Sequence, residues 1–234
     1  NLYRNNGDST FTKITTGAIV NDGGQSLRAS WGDYDNDGFL DLFVSNGVGQ
    51  NNFLYHNEGD GSFAKIVTGS IVTDGGASQS PMWADFDNDG DLDLLVTNGF
   101  GTAADVNFLY WNNGDGTFTR DLTDPIATET GWALGASYAD IDHDGDLDVF
   151  IAGSRGPSTG NTVAKLYRNT LGVFEDAGAA IDSFLGTHAW GDFDNDGDVD
   201  LFTTGSSTKG ASYFSKLYMN DNGLFTTVNT SLPG

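Results

Sequence analysis

The sequence predicts an all-β fold made of repeated four-stranded antiparallel units, and three observations lead to that prediction. First, an aspartate-rich loop occurs four times in the 234 residues, with its first aspartates 52, 55 and 52 residues apart. Second, the string Leu-Tyr-x-Asn occurs five times in phase with the loops. Third, the apolar runs are four to six residues long, and we find no helical periodicity over ten or more residues. A regular period near 53 residues favours one repetitive domain.

Each unit begins with strand A, which carries an aromatic residue two positions before the loop, and strand B is the apolar run after the loop. A Gly/Asn/Ser-rich segment then leads to strand C, which contains Leu-Tyr-x-Asn. An Asn/Gly/Asp turn and a phenylalanine follow, which predicts a hairpin between strands C and D. The strand A aromatic residues, which we expect in the core between units, are Trp31, Trp83, Tyr138 and Trp190. The strings of strand C begin at Leu2, Leu54, Leu109, Leu166 and Leu217.

Four-stranded units at this period predict a β-propeller, because one small sheet must bury both of its faces against neighbours. The prediction treats 1–234 as a single propeller domain or propeller segment. It has an N-terminal half blade over 1–20 and four full blades over about 27–68, 79–122, 134–177 and 187–229. Because five C–D pairs stand against four A–B pairs, we expect further blades or a partner chain to complete the first blade.

The composition narrows the possible partners. The formal net charge is −23, from 33 acidic and 10 basic residues, so electrostatics disfavours nucleic acid and anionic membranes. No apolar run approaches the length of a membrane span, and we expect no membrane insertion. Cysteine is absent, which excludes disulfides and thiolate metal sites. Nineteen of the acidic residues lie in the four loops, so metal cations are the natural counterions.

The loops have the pattern expected of a hard-cation site. Aspartates at loop positions 1, 3, 5 and 9 can direct carboxylates to one point, and the glycine at position 6 allows the turn that brings in the backbone oxygen of position 7. Ca²⁺ fits this ligand set better than Mg²⁺, which keeps several waters. We therefore predict four Ca²⁺ sites, structural rather than catalytic. The predicted ligands are Asp33, Asp35, Asp37, Phe39 and Asp41; Asp85, Asp87, Asp89, Asp91 and Asp93; Asp140, Asp142, Asp144, Asp146 and Asp148; and Asp192, Asp194, Asp196, Asp198 and Asp200.

Three strings carry a family resemblance: Trp-Gly-Asp-Tyr-Asp-Asn-Asp-Gly at 31–38, Trp-Gly-Asp-Phe-Asp-Asn-Asp-Gly at 190–197 and Leu-Tyr-Arg-Asn-Asn-Gly-Asp at 2–8. They resemble the FG-GAP/VCBS repeats of integrin α-subunit heads and many secreted microbial proteins, and the resemblance covers essentially the whole chain. It implies an extracellular propeller of about seven blades with Ca²⁺ in the A–B loops. This chain departs from the pattern at Phe39 in position 7, at His143 in position 4 and in a shortened turn at 169–172.

No catalytic cluster is evident, and we expect no enzymatic activity. The strings typical of serine hydrolases, zinc proteases and P-loops are absent. We expect the three histidines, His56, His143 and His188, to be structural or exposed.

The leading functional hypothesis is a calcium-stabilised binding or adhesion scaffold, secreted or at the cell surface, whose protein or glycan ligand is unidentified. Alternatives are a carbohydrate-binding lectin, a structural subunit of an extracellular assembly, and the propeller part of a polysaccharide-degrading enzyme. Sugar binding would use the variable B–C loops at 46–52, 98–107, 153–162 and 205–212.

Overall fold

The computed structural model describes residues 1–99, 106–130, 132–154, 162–207 and 212–228. In these residues the chain forms twenty β-strands and three helices of four residues each. The N-terminal pair is β1 (Leu2–Asn5) and β2 (Phe11–Ile14). The first sheet contains β3 (Ser26–Gly32), β4 (Asp41–Asn46), β6 (Phe53–Asn57) and β7 (Phe63–Ile66). The second contains β9 (Ser78–Ala84), β10 (Asp93–Asn98), β11 (Phe108–Asn112) and β12 (Phe118–Asp121).

The third sheet contains β13 (Trp132–Ala139), β14 (Asp148–Ser154), β15 (Thr162–Thr170) and β16 (Val173–Asp176). The fourth contains β17 (Leu185–Gly191), β18 (Asp200–Ser206), β19 (Tyr213–Asp221) and β20 (Leu224–Val228). The short strands β5 (Gln50–Asn51) and β8 (Gly75–Gly76) pair with each other, and the helices are α1 (Ala18–Asn21), α2 (Ser70–Thr73) and α3 (Pro125–Thr128).

Every four-stranded sheet is an antiparallel meander whose strands follow one another in chain order. In the second sheet, for example, Leu94 of β10 is opposite both Trp83 of β9 and Tyr110 of β11. The prediction of an all-β protein with four-stranded antiparallel units is therefore confirmed. The number of blades and their boundaries stay predictions.

Consecutive sheets bury their facing sides against each other. Leu94 and Val96 of β10 belong to a cluster with Phe43 of the first sheet, whereas Leu95 belongs to a cluster with Val149 of the third sheet. Successive side chains of a strand point to opposite faces, so a strand buried on both faces needs a continuous apolar run. This explains why strand B of each unit lacks polar alternation.

The second residue of each of the first three aspartate loops packs into the next sheet. Tyr34 stacks on Trp83 with ring centroids 6.3 Å apart, and Phe86 meets Phe174 at 5.5 Å. Ile141 is fully buried in the cluster that contains Tyr218 of the fourth sheet. Residues of one unit thus complete the core of the following unit.

The asparagine of Leu-Tyr-x-Asn fixes the same junction by hydrogen bonds. Its side-chain Nδ2 donates to the backbone oxygen of position 2 in the preceding loop, at 2.7 Å in each of three units. These bonds are Asn112 to Tyr34, Asn169 to Phe86, and Asn220 to Ile141. Asn169 also donates to Leu147 of its own loop at 3.2 Å. The string that marks strand C in the sequence is therefore a contact between units.

Asn169→Ala is expected to lower the free energy of unfolding by about 2–4 kcal/mol, because it leaves the buried carbonyl of Phe86 and the partly buried carbonyl of Leu147 without this donor. Chemical denaturation of both proteins measures the change. Asn57→Ala is the matched control, since Asn57 Nδ2 makes a hydrogen bond only to its own loop, at Leu40, in an exposed setting. An equal loss in the two variants would contradict a role at the junction.

The strand A aromatic residues are buried only where a loop covers them. Trp83 is buried under Tyr34, and Trp190 packs against the core cluster of the fourth sheet. Trp31 and Tyr138 are exposed, so the expectation that all four aromatic residues form core is wrong for these two. Tyr138 meets Phe86 only edge-on, at 6.4 Å, and in the described residues Trp31 meets no loop of a preceding unit.

Each short helix ends at an acidic residue that binds a tyrosine of strand C. Asp74, at the end of α2, accepts from the hydroxyl of Tyr110 at 3.2 Å and from Arg120 at 2.9 Å. Equivalent groups are Asp22 with Tyr55 and Lys65, and Glu129 with Tyr167 and Lys165; Asp182 makes the same contacts with Tyr218 and Lys216, although the segment before it, 177–181, is not helical. These contacts use four of the ten basic residues to hold the linkers against the sheets.

Candidate metal centres in the aspartate loops

Each aspartate loop connects the first two strands of a sheet, and its backbone requires special residues at two positions. Position 6 is a glycine with φ between 91° and 104° in all four loops, a conformation that other residues rarely adopt. Position 4 is left-handed as well, with φ between 57° and 62°. It is asparagine in three loops and His143 in the third, and asparagine tolerates this conformation better than most residues.

The carboxylate at position 1 accepts backbone hydrogen bonds from later residues of the same loop. Asp33 accepts from the backbone N–H groups of Asp37 and Gly38, both at 3.0 Å. Asp85 accepts from Asp89 and Gly90 at the same distances. These bonds curve the backbone toward the carboxylates, which places position 3 opposite position 1.

The carboxylate at position 9 joins the loop to strand C. Asp93 Oδ2 accepts from the backbone N–H of Phe86 at 3.0 Å, and its Oδ1 accepts from Asn112 at 2.9 Å. Asp41, Asp148 and Asp200 make the equivalent pairs of bonds and are also buried. Burial raises the pKa of Asp93 to about 7 and that of Asp148 to about 6, and the charges of nearby carboxylates in the same loop add to each rise.

Three of the four loops bring the carboxylates of positions 1, 3 and 9 to one point. In the second, third and fourth loops, ligand atoms of these three residues lie within 4.8 Å of one another. The groups are Asp85, Asp87 and Asp93; Asp140, Asp142 and Asp148; and Asp192, Asp194 and Asp200. In the first loop, Asp33, Asp35 and Asp37 form one such group, and Asp35, Asp41 and His56 form another.

The other predicted ligands have different surroundings. Asp89, Asp144 and Asp196, at position 5, each accept from the backbone N–H of position 7, at 2.9 to 3.0 Å, and do not join the groups above. Phe39 lies in the first loop, where its N–H donates to Asp37 at 2.8 Å. The use of position 5 side chains and position 7 backbone oxygens as ligands stays a prediction.

The side chains of position 7 instead connect neighbouring loops. Asn36 donates to Asp91 of the second loop at 2.6 Å, and Asn88 donates to Asp146 of the third loop at 2.5 Å. His143 Nε2 lies 2.7 Å from Asp198 of the fourth loop. Position 4 of one loop is thus hydrogen-bonded to position 7 of the next. This contact was not predicted from the sequence. Its signal is that a loop with asparagine or histidine at position 4 is followed by a loop with aspartate at position 7.

The loops fit a hard divalent cation. The oxygens Asp35 Oδ1, Asp140 Oδ1 and Asp142 Oδ1 are buried and have no hydrogen-bond partner. Burial, together with the charge of Asp37, raises the pKa of Asp35, and burial with the charge of Asp89 raises that of Asp87. Unpaired buried carboxylate oxygens near other carboxylates are costly without a counterion. All-oxygen donors of this kind suit Ca²⁺, Mg²⁺ or Mn²⁺.

The third residue of Leu-Tyr-x-Asn also reaches the loop, which the sequence did not reveal. His56 Nδ1 lies 3.1 Å from Asp35, and Arg168 Nε lies 2.9 Å from Asp142, which is position 3 of the third loop. His188, in contrast, lies outside the loops, 2.7 Å from the hydroxyl of Ser137, and burial lowers its pKa.

The comparisons with known proteins agree with the repeat pattern. A family model described as an FG-GAP-like repeat matches residues 1–44, 36–96 and 100–151. The chain therefore belongs to the FG-GAP-like repeat family, as its strings indicated.

Among curated proteins, the chain is similar to cartilage acidic protein 1 of Xenopus tropicalis, with 30% identity over 161 residues. It is also similar to cartilage acidic protein 1 of Homo sapiens, with 29% identity over 165 residues. Each match covers 64% of this chain and 24% of the relative, so the chain spans about a quarter of their length.

Among solved structures, the chain is similar to an Agrocybe aegerita lectin whose structure is described as specifically recognising non-reducing terminal N-acetylglucosamine. The TM-score is 0.61 at 20% identity, over 96% of this chain and 59% of the lectin chain. This similarity concerns the fold. None of the helices in the described residues has the length and apolar character that crossing a membrane requires.

Proposed function

We propose that the protein is a calcium-stabilised, non-enzymatic β-propeller that acts extracellularly as a binding or adhesion scaffold. The observation that carries this proposal is the convergence of three carboxylates in each of four loops placed at equivalent points of successive sheets. Membership of the FG-GAP-like repeat family and a lectin of similar fold support a propeller-like binding scaffold.

Different loop positions would bind the ion from different sides of the site. The carboxylates at positions 1 and 3 would supply oxygens from the loop, and the one at position 9 would supply an oxygen fixed to strand C. Bound Ca²⁺ supplies positive charge that offsets the repulsion among these groups. Because position 9 is bonded to both the loop and strand C, the ion would stabilise the first three strands of a sheet together.

Calcium titration of the metal-free protein by isothermal calorimetry tests the proposal. With Ca²⁺ as the only divalent cation, we expect four ions per chain, with affinities of about 0.1–1 mM as in other extracellular modules. Asp93→Asn should remove one of the four sites, because it replaces a carboxylate in the second loop. Asp115→Asn is the matched control, since Asp115 lies in an exposed C–D turn and accepts only from Thr117. No calcium uptake, or an equal effect of both variants, would refute the assignment.

Binding of glycans is the second candidate, and one exposed side chain favours it. Tyr213 is 83% exposed at the start of β19, directly after the segment 205–212 that was predicted to bind sugar. An exposed aromatic ring is a suitable platform for the apolar face of a sugar. Of the four predicted sugar-binding segments, 46–52 is fully described, whereas 100–105, 155–161 and 208–211 lie outside the described residues.

A glycan array separates the two candidates. A lectin would bind a defined set of glycans and lose them in the Tyr213→Ala variant, whereas a scaffold for protein partners would bind none. The extracellular location is proposed from the family and from relatives named for cartilage.

Measuring particle size with and without Ca²⁺ would show whether the chain is instead a subunit of an assembly.

A further inference from the structure

The first loop differs from the other three because a nitrogen ligand faces it. His56 Nδ1 lies 3.1 Å from Asp35 Oδ2 and 3.3 Å from Asp41 Oδ1, and His56 Nε2 lies 3.9 Å from Asp37 Oδ2. In the described residues, the cation-binding groups of the other loops contain carboxylates alone.

The imidazole is held in place and directed into the carboxylates. The side chain of His56 is only 22% exposed, and its ring meets Tyr34 edge-on at 6.3 Å. Its Nδ1 is buried and has no hydrogen-bond partner, although two carboxylate oxygens are at contact distance. Asp35 Oδ1 beside it is buried and unpartnered as well, and Asp41 is fully buried.

One nitrogen and two oxygens lie this close together without hydrogen-bond geometry. Such spacing is expected of neighbouring ligands around one metal ion. Ligands about 2.0–2.2 Å from a tetrahedral zinc ion lie roughly 3.3–3.6 Å from one another, close to the distances from His56 to Asp35 and Asp41. Imidazole nitrogen suits Zn²⁺ and other first-row transition metals, whereas Ca²⁺ takes oxygen ligands almost entirely.

We propose that His56, Asp35 and Asp41 form a mixed nitrogen–oxygen site that prefers a first-row transition dication such as Zn²⁺ over Ca²⁺. This inference rests on the proposed cation binding by the aspartate loops and adds a second metal class at the first of them.

The chain offers two reciprocal substitutions for the test. The position of His56 in Leu-Tyr-x-Asn is occupied by Met219 in the fourth unit, where Asp192, Asp194 and Asp200 converge. His56→Met therefore gives the first loop the residue of the fourth unit, and Met219→His gives the fourth loop the residue of the first. Arg168 shows that a long side chain at this position reaches position 3 of its loop.

Metal-free protein is titrated with Zn²⁺, and separately with Co²⁺ followed by visible absorption, in the presence of excess Ca²⁺. The wild type should bind one Zn²⁺ per chain, and His56→Met should weaken that binding by at least about tenfold, the scale on which losing a metal-supporting group acts. Met219→His should add a second Zn²⁺. Circular dichroism and Ca²⁺ uptake check that each variant is folded.

Equal zinc affinity in wild type and His56→Met, or no zinc uptake against Ca²⁺, would overturn the proposal while leaving calcium binding intact. If His56→Met does not fold, Met219→His decides, because an unchanged zinc count in that variant also overturns it. If zinc binds through His56 but no loop takes Ca²⁺, the calcium proposal fails and the mixed site stands.

Discussion

Removal of divalent cations is expected to lower the melting temperature of this protein by about 5–20 °C. Four sites with affinities of about 0.1–1 mM contribute roughly 2–6 kcal/mol in total at 1 mM Ca²⁺. For a chain of this size, 1 kcal/mol corresponds to about 2–4 °C. Differential scanning calorimetry with 1 mM Ca²⁺ and with a chelator measures the shift, and restoring Ca²⁺ alone should reverse it.

The metal-free protein should also respond to pH in a characteristic direction. The pKa of Asp93 is about 7 and that of Asp148 about 6 in the folded chain, both raised from 3.8 by burial. Groups with a raised folded pKa bind more protons in the folded state, so stability falls as pH rises from about 4 to 7. In chelator, the melting temperature should therefore be higher at pH 5 than at pH 7.5. Saturating Ca²⁺ should reverse this trend, since it needs the ionised carboxylates, and an unchanged melting temperature on chelation at neutral pH would contradict a structural ion.

Phe86→Ala is expected to lower the free energy of unfolding by about 3–5 kcal/mol, the range found for truncating a buried aromatic side chain. Phe86 is completely buried between the second and third sheets, where it contacts Phe174 and Tyr138. The substitution leaves a cavity at the junction of two units. Urea denaturation of wild type and variant at saturating Ca²⁺ isolates this packing loss from any change in metal binding.

Phe193→Ala provides the control at the same loop position. Phe193 is 68% exposed in the fourth loop, and its backbone N–H donates to Asp200 as Phe86 does to Asp93. Because little apolar surface is buried there, its truncation should change the stability by no more than about 0.5 kcal/mol. Comparable losses in the two variants would mean that the loop, rather than the junction, depends on this residue.

The repeat and the strand order could be predicted because the same sequence signals recur in each unit. Four loops with glycine at position 6 and five Leu-Tyr-x-Asn strings fix where strands begin and turn. The convergence of positions 1, 3 and 9 also follows from the alternation of aspartates, and the structure brings these carboxylates together in the second, third and fourth loops.

Contacts between units were harder to predict because each joins residues more than fifty positions apart. The bond from Asn112 to Tyr34 has no local signature in the chain, and the pairing of Asn36 with Asp91 is visible only when the loops are compared with one another. The contact of His56 with Asp35 depends on how strand C leans over the loop, which periodicity does not specify. The helices α1 to α3 have four residues each, too few to show a period.

The bonds from position 4 of one loop to position 7 of the next mean that the second and third units each contain both halves of this interface. The second unit offers Asp91 to the unit before it and Asn88 to the unit after it. A gene segment encoding one such unit therefore carries its own connectors, and copying or deleting it leaves matched partners on either side. The number of repeats can then change by whole units while the hydrogen bonds between position 4 and position 7 are kept. They are kept because donor and acceptor are copied together.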